Sequence, residues 1–291
     1  MDEVESLRPR AFSSTVGVWR VRSGGDSAVL KLLRRDAGPH PRWPSADEPD
    51  DPYYWRRDAL AYSTGLLSRL DGVRAAAFRG LHERPDGSLA LWLEDVAAPP
   101  EWTPERLGGF ARRLGRAQAL LASRPPDEPW LARGFLRRYL ELHDADDPER
   151  DEVLSRIDTL PHTLCHNDLH PANVLGADGS VVVDWAFCGL APLGLDPGVL
   201  VADGVADRVV APADADAAAA AVWTGYANGL RDGGVHDVEP IRWAFLRATA
   251  LRLAWLDPEK ARDDATRESW RATIALLERW RRAAGELPSR P

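Results

Sequence analysis

The chain has 291 residues, enough for one large domain or two modest ones. Its 37 Lys plus Arg against 45 Asp plus Glu leave a net charge of -8, which argues against a nucleic-acid binder held by general phosphate attraction. Two cysteines, Cys165 and Cys188, make no metal spacing and no disulfide framework, and no apolar run is long enough to span a membrane, so the composition predicts a cytoplasmic, soluble protein with reduced core thiols.

Residues 1–10 (MDEVESLRPR) are acidic and polar, unlike a signal peptide. Residues 16–21 (VGVWRV) and 28–33 (AVLKLL) read as short strands, and the Gly-Gly between them predicts a hairpin turn. A polar, Pro-rich stretch, 34–52, reads as a loop, and 53–70 carries a helical apolar pattern. Residues 75–81 and 88–93 read as two further strands, the second entered through a Pro-Asp-Gly turn. Beyond Val96 the pattern changes to helices broken by prolines, over 103–123, 129–143, 148–158, 213–231, 240–256 and 261–284, with one strand-like interruption at 174–185. A strand-rich part, 1–96, followed by a helical part, 97–291, predicts an α+β architecture. The acidic stretch 143–152 reads as a solvated loop.

The informative segment is LCHNDLHPANVLGADGSVVVDWAFCGL, residues 164–190. His162, His166 and His170 recur every four residues, but Pro161 and Pro171 bracket them, so a loop is expected rather than a metal-binding helix face. Asp168 is followed five residues later by Asn173, and Asp184 ends the next apolar run. Phosphoryl transfer needs one carboxylate to orient a hydroxyl and take its proton, and oxygen ligands to hold Mg²⁺ on the phosphates. An Asp and an Asn on one short loop, with a second Asp closing from the next strand, suit that division of labour.

LCHNDLHPANVL followed by VVVDWAFCGL resembles the aminoglycoside phosphotransferase and choline kinase superfamily, a branch of the protein-kinase-like fold. The resemblance implies a bilobal kinase: a small sheet lobe with one helix, and a larger, mainly helical lobe. It implies ATP and Mg²⁺, Asp168 as catalytic carboxylate, Asn173 and Asp184 as metal ligands, and His166 as a structural member of the loop. It places Lys31 at the ATP phosphates, with Ser14, Thr15 and Gly17 in the nucleotide-positioning loop. Asp58 stands where the family usually has a Glu paired with that Lys, one methylene shorter. Leu93 and Glu94 fall at the hinge, where backbone groups meet the adenine edge, and Asp196 is implied to be structural, capping a helix beside the catalytic loop.

The expected acceptor is a small-molecule hydroxyl on an aminoglycoside, an amino sugar or another natural product. Two other readings stay open: a kinase for a peptide hydroxyl in natural-product maturation, and a non-catalytic nucleotide-binding module. Asp203, Asp207 and Asp264 are candidate contacts to a cationic acceptor, and Trp223, Tyr226, Trp243, Trp255 and Trp270 are candidates for its pocket or for the core.

Overall fold

The computed structural model describes residues 3–8, 11–38, 40, 42–98, 101–143 and 147–287. Strands β2 (Ser13–Ser23) and β3 (Asp26–Gly38) form the expected hairpin, and both turn glycines, Gly24 and Gly25, have positive φ of 59° and 93°. Such a tight turn needs left-handed backbone at both positions, which glycine adopts without cost. β3 runs on through Gly38, so the segment read as a loop from Arg34 is strand for its first five residues. Residues 39 and 41 of that stretch lie outside the described residues.

A strand that the sequence reading missed, β1 (Glu3–Arg8), pairs antiparallel with β2. All six of its residues are exposed, so no apolar alternation marks it. With β5 (Phe78–Glu83) and β6 (Leu89–Glu94), it completes an antiparallel sheet in the order β1-β2-β3-β6-β5. The helix read over 53–70 is only seven residues long, α1 (Arg57–Ser63). Gly65, at φ 78°, takes the chain out of it, and Leu66–Arg69 continue as a 3₁₀ turn.

The rest of the chain is mainly helical: α2 (Pro104–Ala122), α3 (Phe135–Leu142), α4 (Arg150–Asp158), α5 (Leu195–Ala206), α6 (Ala215–Asp232), α7 (Glu239–Arg252) and α8 (Asp264–Gly285). Thr103 caps α2 by accepting the N–H of Arg106. α2 and α6 approach so closely that a Cβ at Gly225 would lie 2.0 Å from the carbonyl oxygen of Gly108. α5 was absent from the periodic pattern because eleven of its residues are buried, leaving no polar face to set a period.

Short strands frame the site. β4 (Arg74–Ala75) pairs in parallel with β10 (Val181–Val182), whose other neighbour is β9 (Val174–Leu175), so a ribbon ties the sheet lobe to the helical lobe. β7 (Ala132–Arg133), β11 (Gly189–Pro192) and β8 (His162–Cys165) form a second ribbon, where the sequence pattern showed strand character only at 174–185. The molecule is thus α+β and bilobal, a small sheet lobe with one helix against a larger helical lobe. Both cysteines are free and buried. No helix among the described residues is long and apolar enough to cross a membrane.

The acidic stretch 143–152 is not a solvated loop throughout. His143 is buried and stacked on Tyr139, the Asp147 side chain is enclosed between Arg247 and Arg281, and α4 begins at Arg150. Residues 144–146 lie outside the described residues.

Candidate active site

The loop 166–173 leaves β8 and enters β9, and its backbone is fixed before any side chain acts. Asp196, in the first turn of α5, accepts the N–H groups of His166 at 2.8 Å and Asn167 at 3.0 Å, together with Gln118 Nε2 at 2.9 Å. Gln118 in turn accepts the Tyr226 hydroxyl at 2.6 Å, so the loop is anchored to α2 and α6. Burial pushes Asp196 up, and these donors act against that shift. His166 donates Nε2–H to Val183 O at 2.9 Å and accepts Asp168 N–H on Nδ1 at 3.3 Å, which fixes its tautomer and binds the loop to the Asp184 segment. Asn167 and Asp184 both hold φ of 64°, left-handed backbone outside glycine, at the two points where the chain turns into the site.

Asp168 and Asn173 are joined by Asn173 Nδ2 donating to Asp168 O at 3.0 Å, and Val183 N donates to Asn173 O at 2.9 Å, so loop and Asp184 segment are one hydrogen-bonded unit. Lys31, buried in β3, reaches two carboxylates at 2.6 Å each, Asp58 Oδ2 on α1 and Asp184 Oδ1. The shorter acid at 58 therefore still meets the lysine. Burial works against the Lys31 ammonium, but Asp184 and Asp58 overcome it and raise its pKa. Burial raises Asp58, whereas at Asp184 the burial effect is outweighed by Lys31, which brings it down to about 2. Asp184 is thus a carboxylate under all ordinary conditions.

Sequence reasoning missed four cationic groups here. Arg252, at the end of α7 and 2 % exposed, donates to Asn167 O at 2.8 Å and to Asp168 Oδ1 at 3.0 Å, and lies over the Tyr139 ring at 4.6 Å. Arg57, fully buried, donates to Trp130 O, Pro52 O and Asp51 O at 2.6–2.7 Å, and burial lowers it to about 10. Arg8 of β1 stands 3.9 Å from Asp184 Oδ2. Arg20 pairs with Asp95 at 2.8 Å where β6 ends. No periodicity marks any of the four, because each acts on a partner far away in the chain.

Two cavities open here. One, of about 570 Å³, lies between the lobes, with Val18, Val29, Ala76 and Leu93 on its apolar walls and Lys31 and Asp184 at its inner end. The other, of about 260 Å³, lies on the far side of Asp168. Arg8, Asp168, His170 and Asp184 line both, so the cavities meet at those four residues.

Of the expected nucleotide residues, Lys31, Asp58, Leu93 and Glu94 line the first cavity, while Ser14 and Thr15 line the second. Phe12 and Thr15 exchange backbone hydrogen bonds at 2.8 and 2.9 Å, and this tight turn carries the two hydroxyls away from the first cavity. Gly17 lines neither cavity, and the Trp19 ring lies so close that a Cβ at Gly17 would stand 2.5 Å from it. At Glu94 the backbone N–H is already donated to Ala77 O, and the carboxylate is held by Arg74 at 2.6 Å and pulled below its usual range. Asn173 and Asp184 both line the first cavity. With its Nδ2 committed to Asp168, Asn173 has its amide oxygen left, and an amide oxygen with a carboxylate suits a hard cation such as Mg²⁺. Among the described residues no group of three or more His, Cys, Asp or Glu makes a metal cage, so phosphate and water oxygens would complete such a site.

Of the acceptor candidates, Asp203, Asp207 and Trp255 line the second cavity. Tyr226 and Trp243 are core, Trp223 and Trp270 pack on the core, and Asp264 is an exposed partner of Arg267.

The family profile described as "Phosphotransferase enzyme family" matches residues 18–230. Among curated proteins none matches the chain by sequence. An amicoumacin kinase solved with AMP-PNP and Ca²⁺ superposes with a TM-score of 0.61 at 15% identity, over 97% of this chain and 87% of that one. An ethanolamine kinase of Plasmodium vivax gives 0.54 at 10% identity over 95% and 82%. An aminoglycoside 2'-phosphotransferase in its GDP complex gives 0.52 at 15% identity over 98% and 93%. These likenesses establish a common fold.

Proposed function

The chain belongs to the phosphotransferase enzyme family, and from that premise we propose that it transfers the γ-phosphoryl group of ATP to a hydroxyl of a small molecule such as an aminoglycoside, an amino sugar or another natural product. The observation that carries this reading is the meeting of a nucleotide-sized cleft and a smaller cavity at Asp168. In this reading residues 1–96 hold the nucleotide and residues 97–291 supply the catalytic loop and most of the acceptor site.

Each residue has a task that follows from its surroundings. The apolar walls at Val18, Val29 and Leu93 take the adenine, and Lys31 meets the phosphates while Asp58 keeps its ammonium in place. Asn173 and Asp184 hold Mg²⁺, which when bound neutralises phosphate charge. Arg252 pins Asp168 Oδ1, leaving Oδ2 to accept a hydrogen bond from the acceptor hydroxyl. The hydroxyl oxygen attacks the γ-phosphorus in line, Asp168 takes the hydroxyl proton, and the bond to the β-phosphate oxygen breaks to release ADP.

The test is ADP release from MgATP by wild type and Asp168→Asn across aminoglycosides, amino sugars and simple alcohols. Release that depends on an acceptor and is lost in the variant supports the reading. Release that is the same in both proteins refutes it.

A further inference from the structure

The second cavity has a composition that narrows the acceptor, given the phosphotransfer reading above. Five aromatic residues line it: Phe12 from the turn before β2, Trp43 from the segment after β3, Tyr139 of α3, Phe187, and Trp255 beyond α7. Four of them form a connected set, with Trp43 centred 5.7 Å from Tyr139, 5.5 Å from Phe187 and 6.1 Å from Phe12, while Trp255 stands 6.1 Å from His143. Ring walls at these spacings favour a flat apolar group, which they meet edge-on or offset. At about 260 Å³ and open on one side, the cavity encloses one ring with a short chain of the acceptor.

The charge is local. Arg252 offsets Asp168, and Lys31 and Arg8 together face Asp58 and Asp184. Asp203 and Asp207 remain, four residues apart and so on one side of the α5 end. Asp203 is half-buried and faced by Arg252, and Asp207 is exposed, with His170 Nδ1 at 4.0 Å, beyond hydrogen-bond reach. Two carboxylates at one end of a cavity attract a cationic group of the ligand that enters it.

We propose that the acceptor is a compact aryl amino alcohol, its ring among Phe12, Trp43 and Trp255, its ammonium at Asp203 and Asp207, and its hydroxyl at Asp168. The new ester bond joins that hydroxyl oxygen to the γ-phosphorus, ADP leaves, and the hydroxyl proton passes to Asp168. The ring contributes through burial and stacking and the ammonium through charge, so loss of either weakens recognition.

The experiment compares phenylethanolamine, ethanolamine, phenylethanol and kanamycin, by MgATP-dependent ADP release and by calorimetric binding to the wild-type enzyme. The account expects phenylethanolamine to exceed each of the other three in kcat/KM by about tenfold or more. Asp207→Asn should reduce the preference for phenylethanolamine over phenylethanol, and Phe12→Ala its preference over ethanolamine, each by about tenfold. Kanamycin or ethanolamine as the better acceptor overturns the proposal, as does either variant that keeps the wild-type preference. Calorimetry separates the two readings. Phenylethanolamine that binds in the same order of preference without any ADP release counts against phosphotransfer and supports the ligand class, whereas no binding of phenylethanolamine overturns the ligand class.

Discussion

Replacing Arg252 by Met should damage stability and catalysis together, for reasons that can be worked from its contacts. The guanidinium donates to Asn167 O at 2.8 Å, pairs with Asp168 at 3.0 Å and lies over Tyr139 at 4.6 Å, with 2 % of the residue exposed. A hydrogen bond from a charged donor is worth about 1.5–3 kcal/mol, and a desolvated cation–π contact up to about 2 kcal/mol. The Asp168 side chain is 23 % exposed, so its pairing adds little to stability once screening is counted. Methionine recovers part of the packing, which leaves a loss of about 3–4 kcal/mol. At about 2 °C per kcal/mol for a long chain, Tm should fall about 6–8 °C. With Asp168 no longer pinned, kcat should drop about 100-fold at a temperature where both proteins are folded. Arg252→Lys should recover part of the stability but not the paired geometry. Thermal melts alongside steady-state ADP release measure both quantities. A kcat within twofold of wild type, with Tm lowered, would show that Arg252 only supports the fold and would refute its role in orienting Asp168.

The other predictions follow from single groups. Asp58→Asn removes one of the two carboxylates on Lys31, and the ammonium then belongs to Asp184 alone; the KM for ATP should rise about tenfold, or about 1.4 kcal/mol, and an unchanged KM would free Asp58 of that role. Arg57→Met strips charged donors from the carbonyls of Pro49, Asp51, Pro52 and Trp130, so denaturant melts should show a loss of at least about 3 kcal/mol. Burial raises Asp203 from 3.8 to about 6, with Arg252 acting in the opposite direction. Ionising it therefore burdens the folded state: the penalty is absent below the ordinary value, grows between about pH 4 and pH 6, and is complete above. Asp203→Asn should accordingly stabilise the protein by up to about 3 kcal/mol at pH 7.5 and by less at pH 4.5, and an equal gain at both would contradict the assignment.

The legible part of the molecule was that in which neighbours in sequence are neighbours in function. The loop from His166 to Asn173 could be read because it packs its chemistry into eight residues, and the β2–β3 hairpin because its Gly-Gly turn admits one geometry. Lys31 and Asp58 were singled out by family resemblance, and the distance between them needed the structure. β1 showed no period because every residue in it is exposed, and α5, implied only by the resemblance at Asp196, showed none because nearly every residue in it is buried; periodicity vanishes at both extremes. Arg252 acts on Asn167 O and Asp168, 84 to 85 residues away, and Arg57 reaches Trp130 O, 73 residues away, besides the nearer carbonyls of Pro49, Asp51 and Pro52; nothing in their local sequence records the distant partners. Ser14 and Thr15 were placed in the nucleotide-positioning loop by family resemblance, and the structure sets them, after the Phe12–Thr15 turn, on the wall of the second cavity.

The most direct measurement is a single turnover with ATP labelled in the γ-phosphoryl group and an amino alcohol acceptor, quenched in acid, for wild type and Asp168→Asn. The account predicts label on the acceptor and none on wild-type protein, with transfer lost in the variant. Label held on the protein in stoichiometric amount, or equal transfer by Asp168→Asn, would contradict it.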